Sequence, residues 1–273
     1  IHTVFDPEFT DHVQRLFERS LSEFSTIPGA PLSYWVPQEL RELYDADVVL
    51  DAGNADVQKE SQGVVRQGLA TGKNARFLSK LWEHNSSEFI PYAKGGEDAW
   101  ILPRITLLLH WGEHGEYVRR FPGGNGTPSE QYYFRKGLTY TAKKESGRRF
   151  GYLPSGSIFA HIGSAVFLEE GTWPFLGFAN SALSDYLMLA QTPDRSWEVG
   201  NVAKLPCYPD VLSSEKLQQE AKGIAGTLLA KRKHEFNSPH YSGPILLKML
   251  GREETLTPYE DHPHRSQIGR AHV

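Results

Sequence analysis

From Val64 onward, short apolar segments alternate with turn signals, and this texture limits the possible folds more than any other feature of the chain. The segments are WILPRITLLLHW (100–111), YVRRF (117–121), YYF (132–134), LTYTA (138–142), FGYLP (150–154) and SIFAHI (157–162). Gly95-Gly96, the run Pro122-Gly123-Gly124-Asn125-Gly126, Gly137, Gly147 and Gly156 separate them. Short apolar runs between Gly and Pro are strand-and-hairpin chemistry. Helical patterns flank this region. Residues 6–24 place Phe9, Val13, Leu16, Phe17, Leu21 and Phe24 at helical spacing, with Asp6 able to cap and Pro7 suited to the first turn. A polar, acidic connector follows from Pro37 to about Gln62. Residues 173–190 read as a buried helix. Residues 213–236 read as an exposed one, capped by Ser213 or Ser214, with Lys231, Arg232 and Lys233 favouring its C-terminal dipole. Gly223 and Gly226 weaken that helix. The expected fold class is α+β. A helical N-terminal segment (1–62) and a helical C-terminal segment (211–262) flank a β-rich domain (63–210). Residues 268–273 resemble translated sequencing adaptor, so 263–273 are read as a non-native tail. With Ile1 rather than Met at the start, the chain reads as an internal gene fragment.

Hydrophobic residues make up 39% of the chain and aromatics 12%, enough to bury a core. The net charge of -4 argues weakly against a protein that only coats nucleic acid. The charge is uneven, however. Residues 38–60 hold seven acids against two bases, and residues 131–150 hold six bases against one acid. Such asymmetry permits a local anion-binding face on an acidic protein. The lone Cys207 excludes an internal disulfide and a cysteine-based zinc site, and one thiol suits a reducing cytoplasm. No run of about 18 apolar residues suggests a membrane span.

Three motifs invite chemistry. Gly68-Leu69-Ala70-Thr71-Gly72-Lys73-Asn74 has three residues between its glycines and Asn after Lys. A Walker A loop has four residues there and Ser or Thr after Lys. A Gly-turn whose amides and Lys73 meet a DNA phosphate fits better, beside the plainer reading of a turn from strand to helix. His110-Trp111-Gly112-Glu113-His114 matches H-x-x-E-H, whose zinc chemistry needs both His on one helical face. Gly112 lies inside the motif and a strand-like run precedes it, so a turn with solvated His is expected. The pairs Arg135-Lys136, Lys143-Lys144 and Arg148-Arg149 lie among Tyr132, Tyr133, Phe134, Tyr140, Phe150 and Tyr152. Basic groups neutralise phosphates and aromatics stack, although a solvated hairpin face would look the same. No [DNS]-P-P-[YFW] tetrapeptide occurs, the shape that holds a flipped adenine. No methyl-donor pocket is legible, and no catalytic, cofactor-binding or metal-ligating residue is assigned.

Taken together, IPGAPLSYWVPQEL (27–40), GLATGKNARFLSKLWE (68–83), FIPYAKGGE (89–97), residues 132–167, residues 175–206 and FNSPHYSGPILL (236–247) resemble one family. It comprises the large adenine-specific methyltransferases of BREX and phage-growth-limitation defence systems, with MmeI-like restriction–modification enzymes related. The segments occur in the family's order and correspond to its spacer and target-recognition domain, so the β-rich domain is expected to recognise DNA. The resemblance implies sequence-specific double-stranded DNA as partner. It also implies a parent enzyme that uses S-adenosylmethionine to methylate adenine at N6, and other defence-system proteins as further partners. In the family the catalytic methyltransferase domain lies N-terminal to these segments, so the resemblance implies that it falls outside this chain. The DNA-contacting residues expected are Thr71, Lys73, Asn74, Arg76, Lys94, Arg135, Lys136, Thr139, Tyr140, Lys143, Lys144, Arg148 and Arg149. The chain departs from the family at Ala70-Thr71-Gly72-Lys73, often Gln-Thr-Gly-Asp, and at Leu138-Thr139-Tyr140-Thr141, commonly Ile-Thr-Trp-Ser. Residues 198–206 resemble the end of recognition domains in specificity subunits, where a strand closes the domain and a helix follows, so a structural role is expected. The competing readings are a metal-dependent hydrolase built on His110, Glu113 and His114, and a protein-interaction module docking through residues 213–236.

Overall fold

The computed structural model describes residues 20–96, 100–143, 149–194, 196–235 and 237–242. The fold is α+β, as expected. A two-residue parallel pair comes first, β1 (Val48–Val49) with β2 (Glu60–Ser61). Eight further strands form two four-stranded sheets. One is ordered β3 (Gly63–Arg66), β10 (Ala165–Leu168), β7 (Gly137–Tyr140), β8 (Phe150–Leu153) and is antiparallel throughout. The other is ordered β4 (Leu78–Lys80), β6 (Leu107–His110), β5 (Phe89–Ala93), β9 (Ile158–Phe159), with β5 and β9 parallel.

The first sheet is buried on both faces. Ala165 and Phe167 of β10 point into a core shared with Leu109, Tyr92, Ile158 and Phe159 of the second sheet. Val166 points the other way, with Leu138, Tyr140 and Phe150, into a core closed by helices. This is the period-two alternation of a strand with apolar partners on each side. The helices Thr172–Ala179, Ala182–Gln191 and Val199–Ala203 cover that second face. Ile27, Val36, Tyr44 and Leu50 join the same core, so residues on both sides of position 62 share it. Cys207 is fully buried there, and burial pushes its thiol up to about 12.

Several local expectations are corrected. Tyr117–Arg119 of YVRRF lie in the helix Glu116–Arg119, and the first residue of YYF ends a 3-10 turn, Glu130–Tyr132. The left-handed residues Gly115 (φ +77) and Ser129 (φ +60) start these turns, a signal that apolar content alone conceals. Of residues 100–111, Leu107–His110 form a strand, and Ile101 makes an isolated parallel bridge to Gly151 on the outer edge of β8. The helix expected over 173–190 is two helices. Asn180 leaves the helical path, and its buried side chain bonds the edge of β8. Its Nδ2 donates to Phe150 O at 2.9 Å and its Oδ1 accepts from Phe150 N at 3.2 Å. Ser181 then caps the second helix, accepting from Ser184 N at 3.2 Å. The helix over 213–236 is observed as Glu215–Arg232, with Ser214 as cap. Of the helix expected over 6–24, Leu21–Phe24 is helical, and residues 6–19 lie outside the described residues. The 263–273 tail lies outside them too.

The acidic connector is tied to the first sheet through Asp51, one of its seven acids. The buried Asp51 carboxylate accepts from Val65 N at 2.8 Å, Asn54 Nδ2 at 2.6 Å and Arg66 Nη1 at 2.9 Å. Burial pushes this carboxyl up, but the Val65 and Asn54 hydrogen bonds and the Arg66 charge outweigh it and hold the group below its ordinary value. A lowered folded pKa stabilises fully above the unfolded value, about pH 3.9, and the contribution is lost as pH falls through the folded one. Asp51→Ala should therefore cost about 3 kcal/mol at pH 7, because it leaves buried donors unpaired. In urea titrations across pH, the gap between this variant and the parent should narrow below about pH 4. A gap constant to pH 2 would contradict the assignment.

Candidate nucleic-acid interface

Strand direction decides which loops meet. β3, β5, β7 and β9 all leave their sheets at one end of the structure, where β10 enters. The loops after them, 68–74, 94–96, 141–143 and 160–164, therefore converge. Short contacts bind them together. Leu69 bridges Ala160, and His161 N donates to Leu69 O at 3.1 Å. Ala142 N donates to Ile162 O at 3.0 Å, and Gly96 N to Thr141 Oγ1 at 3.3 Å. Gly95 lies against Gly163, where a Cβ would stand 2.6 Å from the Gly163 Cα. A fifth segment, 122–126, joins through Asn125, whose Oδ1 accepts from Ala70 N at 2.7 Å.

The expected site residues divide on this frame. Lys73 and Asn74 are exposed on the first loop, and Lys94 is half-buried on the second. Lys143 is exposed and bridges Ser196. Thr71 is buried, its Oγ1 donating to Asn74 Oδ1 at 2.8 Å. Arg76 is exposed, with its guanidinium 5.5 Å from the Phe77 ring centre and 5.4 Å from that of Phe121. Arg135 and Lys136 do not join this group. They precede β7, at the opposite end, and residues 136 to 143 span up to about 23 Å of extended chain. Arg135 packs its guanidinium 5.3 Å from the centre of the Tyr132 ring.

Three of the expected contacts are corrected outright: Thr139, Tyr140 and Arg149 are interior. Thr139 Oγ1 donates to Gly163 O at 3.1 Å. Tyr140 is fully buried, and desolvation raises its phenol well above the ordinary value. Arg149 is 2% exposed, with its guanidinium 4.1 Å from the Trp197 ring centre and Nη1 donating to Ala142 O at 3.0 Å. Its charge holds the base of a hairpin instead of facing solvent. Lys144 and Arg148 lie outside the described residues. Sequence reasoning missed Asn125, His161 and Ile162. Asn125 had a signal, as the one polar side chain within a Gly run. His161 and Ile162 had none beyond membership of an apolar segment.

The H-x-x-E-H motif folds as a strand end and a turn. His110 ends β6, with its ring stacked 4.6 Å from Phe89 and tilted 4.2 Å from Tyr117. Gly112, His114 and Gly115 all have positive φ, so the two His share no helical face. Among the described residues, no group of three or more His, Cys, Asp or Glu could hold a metal ion.

An α+β chain with this arrangement is similar to part of the adenine-specific methyltransferases. One such relative is the adenine-specific methyltransferase PglX of Lacticaseibacillus casei (strain Zhang), 23% identical over 283 residues, which covers 92% of this chain. Another is the adenine-specific methyltransferase BrxX of Escherichia coli O9:H4 (strain HS), 24% identical over 217 residues and 74% of this chain. The resemblance to BREX and phage-growth-limitation methyltransferases read from the sequence is thus borne out. The chain spans only about a fifth of these relatives' length, 21% and 16% respectively. No family model matches it. Among the described residues, no helix is long and apolar enough to cross a membrane.

Gly72 holds the two Gly-rich loops together. Its φ is +68, and a Cβ there would fall 1.9 Å from Gly123 O. Gly72→Ala should separate loops 68–74 and 122–126 while leaving both cores intact. Hydrogen exchange should then speed up at the Ala70 and Asn125 amides and stay unchanged in β10. Unaltered exchange at Ala70 would refute this pairing.

Proposed function

We propose that this chain supplies double-stranded DNA recognition to a site-specific adenine-N6 DNA methyltransferase of a restriction–modification or phage-defence system. The observation that carries this reading is the convergence of loops 68–74, 94–96, 141–143 and 160–164 at one end of a rigid two-sheet scaffold. Loops so placed can hold side chains against base edges while cations fix register on the phosphates. Similarity to adenine-specific methyltransferases supports the choice of partner. S-adenosylmethionine binding and methyl transfer belong, on this reading, to a part of the parent enzyme outside this chain, because these 273 residues hold no [DNS]-P-P-[YFW] motif. Lys73, Asn74, Arg76, Lys94 and Lys143 form the principal backbone contacts. Arg135 and Lys136, at the far end of β7, touch a flanking stretch of the duplex. Lys144 and Arg148 belong to the same basic set. The setting is cytoplasmic, with other defence-system proteins as further partners.

The test is duplex retention from a random pool across a salt series. Affinity should fall steeply with salt, and Lys73→Ala and Lys143→Ala should each lower the slope of log affinity against log salt by about 0.9. Arg149→Met should instead lower the unfolding midpoint and leave that slope unchanged. Salt-independent retention, or none from any duplex, would sink the proposal.

A further inference from the structure

The loop end contains a cleft of about 230 Å³ whose walls include Thr71, Asn74, Tyr92, Lys94, His161 and Ile162. We infer that this cleft is a phosphate-binding subsite that takes one phosphodiester of the DNA backbone, an inference that rests on the duplex reading above.

The chemistry of the walls is one-sided. Lys94 brings a cation and His161 an imidazole, and no carboxylate lines the cleft among the described residues. Lys94 is half-buried, yet it makes no ion pair or hydrogen bond among the described residues. A partly desolvated ammonium without an anion is unfavourable, and an incoming anion relieves that cost. Thr71 Oγ1 occupies Asn74 Oδ1 at 2.8 Å, which leaves the Asn74 Nδ2 hydrogens to donate elsewhere. The backbone amides of Gly72, Lys73 and Asn74 likewise donate to nothing among the described residues. They follow a turn at positive φ, the kind of backbone that gathers amides into an anion-binding concavity. Tyr92 does not oppose an anion. Its hydroxyl donates to Leu69 O at 2.6 Å, and burial raises its pKa, so the ring stays neutral.

Size agrees with this ligand. The volume is that of roughly seven or eight waters at about 30 Å³ each, room for a phosphate and its two ester arms. The cleft also explains why the loop resembles a nucleotide-binding loop without its spacing. It needs one phosphate's worth of donors, not a Mg²⁺-bound triphosphate.

The experiment titrates inorganic phosphate into the full chain and follows amide and imidazole resonances. Saturable shifts confined to Gly72, Lys73, Asn74, Lys94 and His161 are expected, weakened about tenfold or more by Lys94→Ala, which removes a charged hydrogen-bond donor. Shifts scattered over surface lysines, or none in the cleft, would overturn the inference whether or not DNA is bound. The DNA arm uses the same variant. Lys94→Ala should weaken all duplexes alike and lower the salt slope by about 0.9. A changed base preference at one position, with the slope intact, would instead assign Lys94 to a base edge and overturn the phosphate role. Phosphate binding in the cleft without duplex retention would support the subsite and defeat only the wider functional reading.

Discussion

Burial of both faces of the sheet β3-β10-β7-β8 is the constraint from which the rest follows. A sheet with apolar side chains on each side needs a cover for each. The second sheet covers one, with Phe159 and Leu109 against Phe167, and helices cover the other, with Phe175 and Met188 near Phe150 and Leu138. Apolar burial contributes about 25 cal/mol per Å², so these two interfaces favour the fold. They also fix strand direction, and strand direction sends loops 68–74, 94–96, 141–143 and 160–164 to a common end. The candidate site is thus a by-product of how the core is closed.

The strands were legible where the sequence alternates strictly. LTYTA became β7 with Leu138 and Tyr140 on one core and Thr139 turned to the Gly163 carbonyl, while FGYLP became β8 with Phe150 and Leu153 on opposite cores. The segments misread as strands, YVRRF and YYF, are apolar for another reason. Val118 and Tyr133 plug the second core from short turns, so burial there carries no period. The break at Asn180 was illegible because its cause is distant in sequence: the Phe150 backbone, on the edge of β8 that Ile101 also bridges, draws the side chain away from the helix. The family resemblance was legible from segment order, as the similarity to two methyltransferases shows.

Charge was the least reliable guide. Three basic pairs within twenty residues suggested one cationic patch. A strand places its two ends far apart, and a bend can turn a cation inward. Arg149 illustrates the second case, since Trp197 and two backbone carbonyls accept its guanidinium. What unites the loop end is instead a set of close backbone approaches that only glycine permits, at Gly72 and Gly95.

The side chain of Asn180 has a consequence for the edge of the first sheet. By offering one donor and one acceptor to Phe150, it mimics a peptide unit and, together with the Ile101 backbone, covers a sheet margin of the kind that can template a foreign strand. A helix-borne amide thereby does part of the work of a fifth strand in that sheet. The β8 margin is thus covered beside the hairpin that carries loop 141–143.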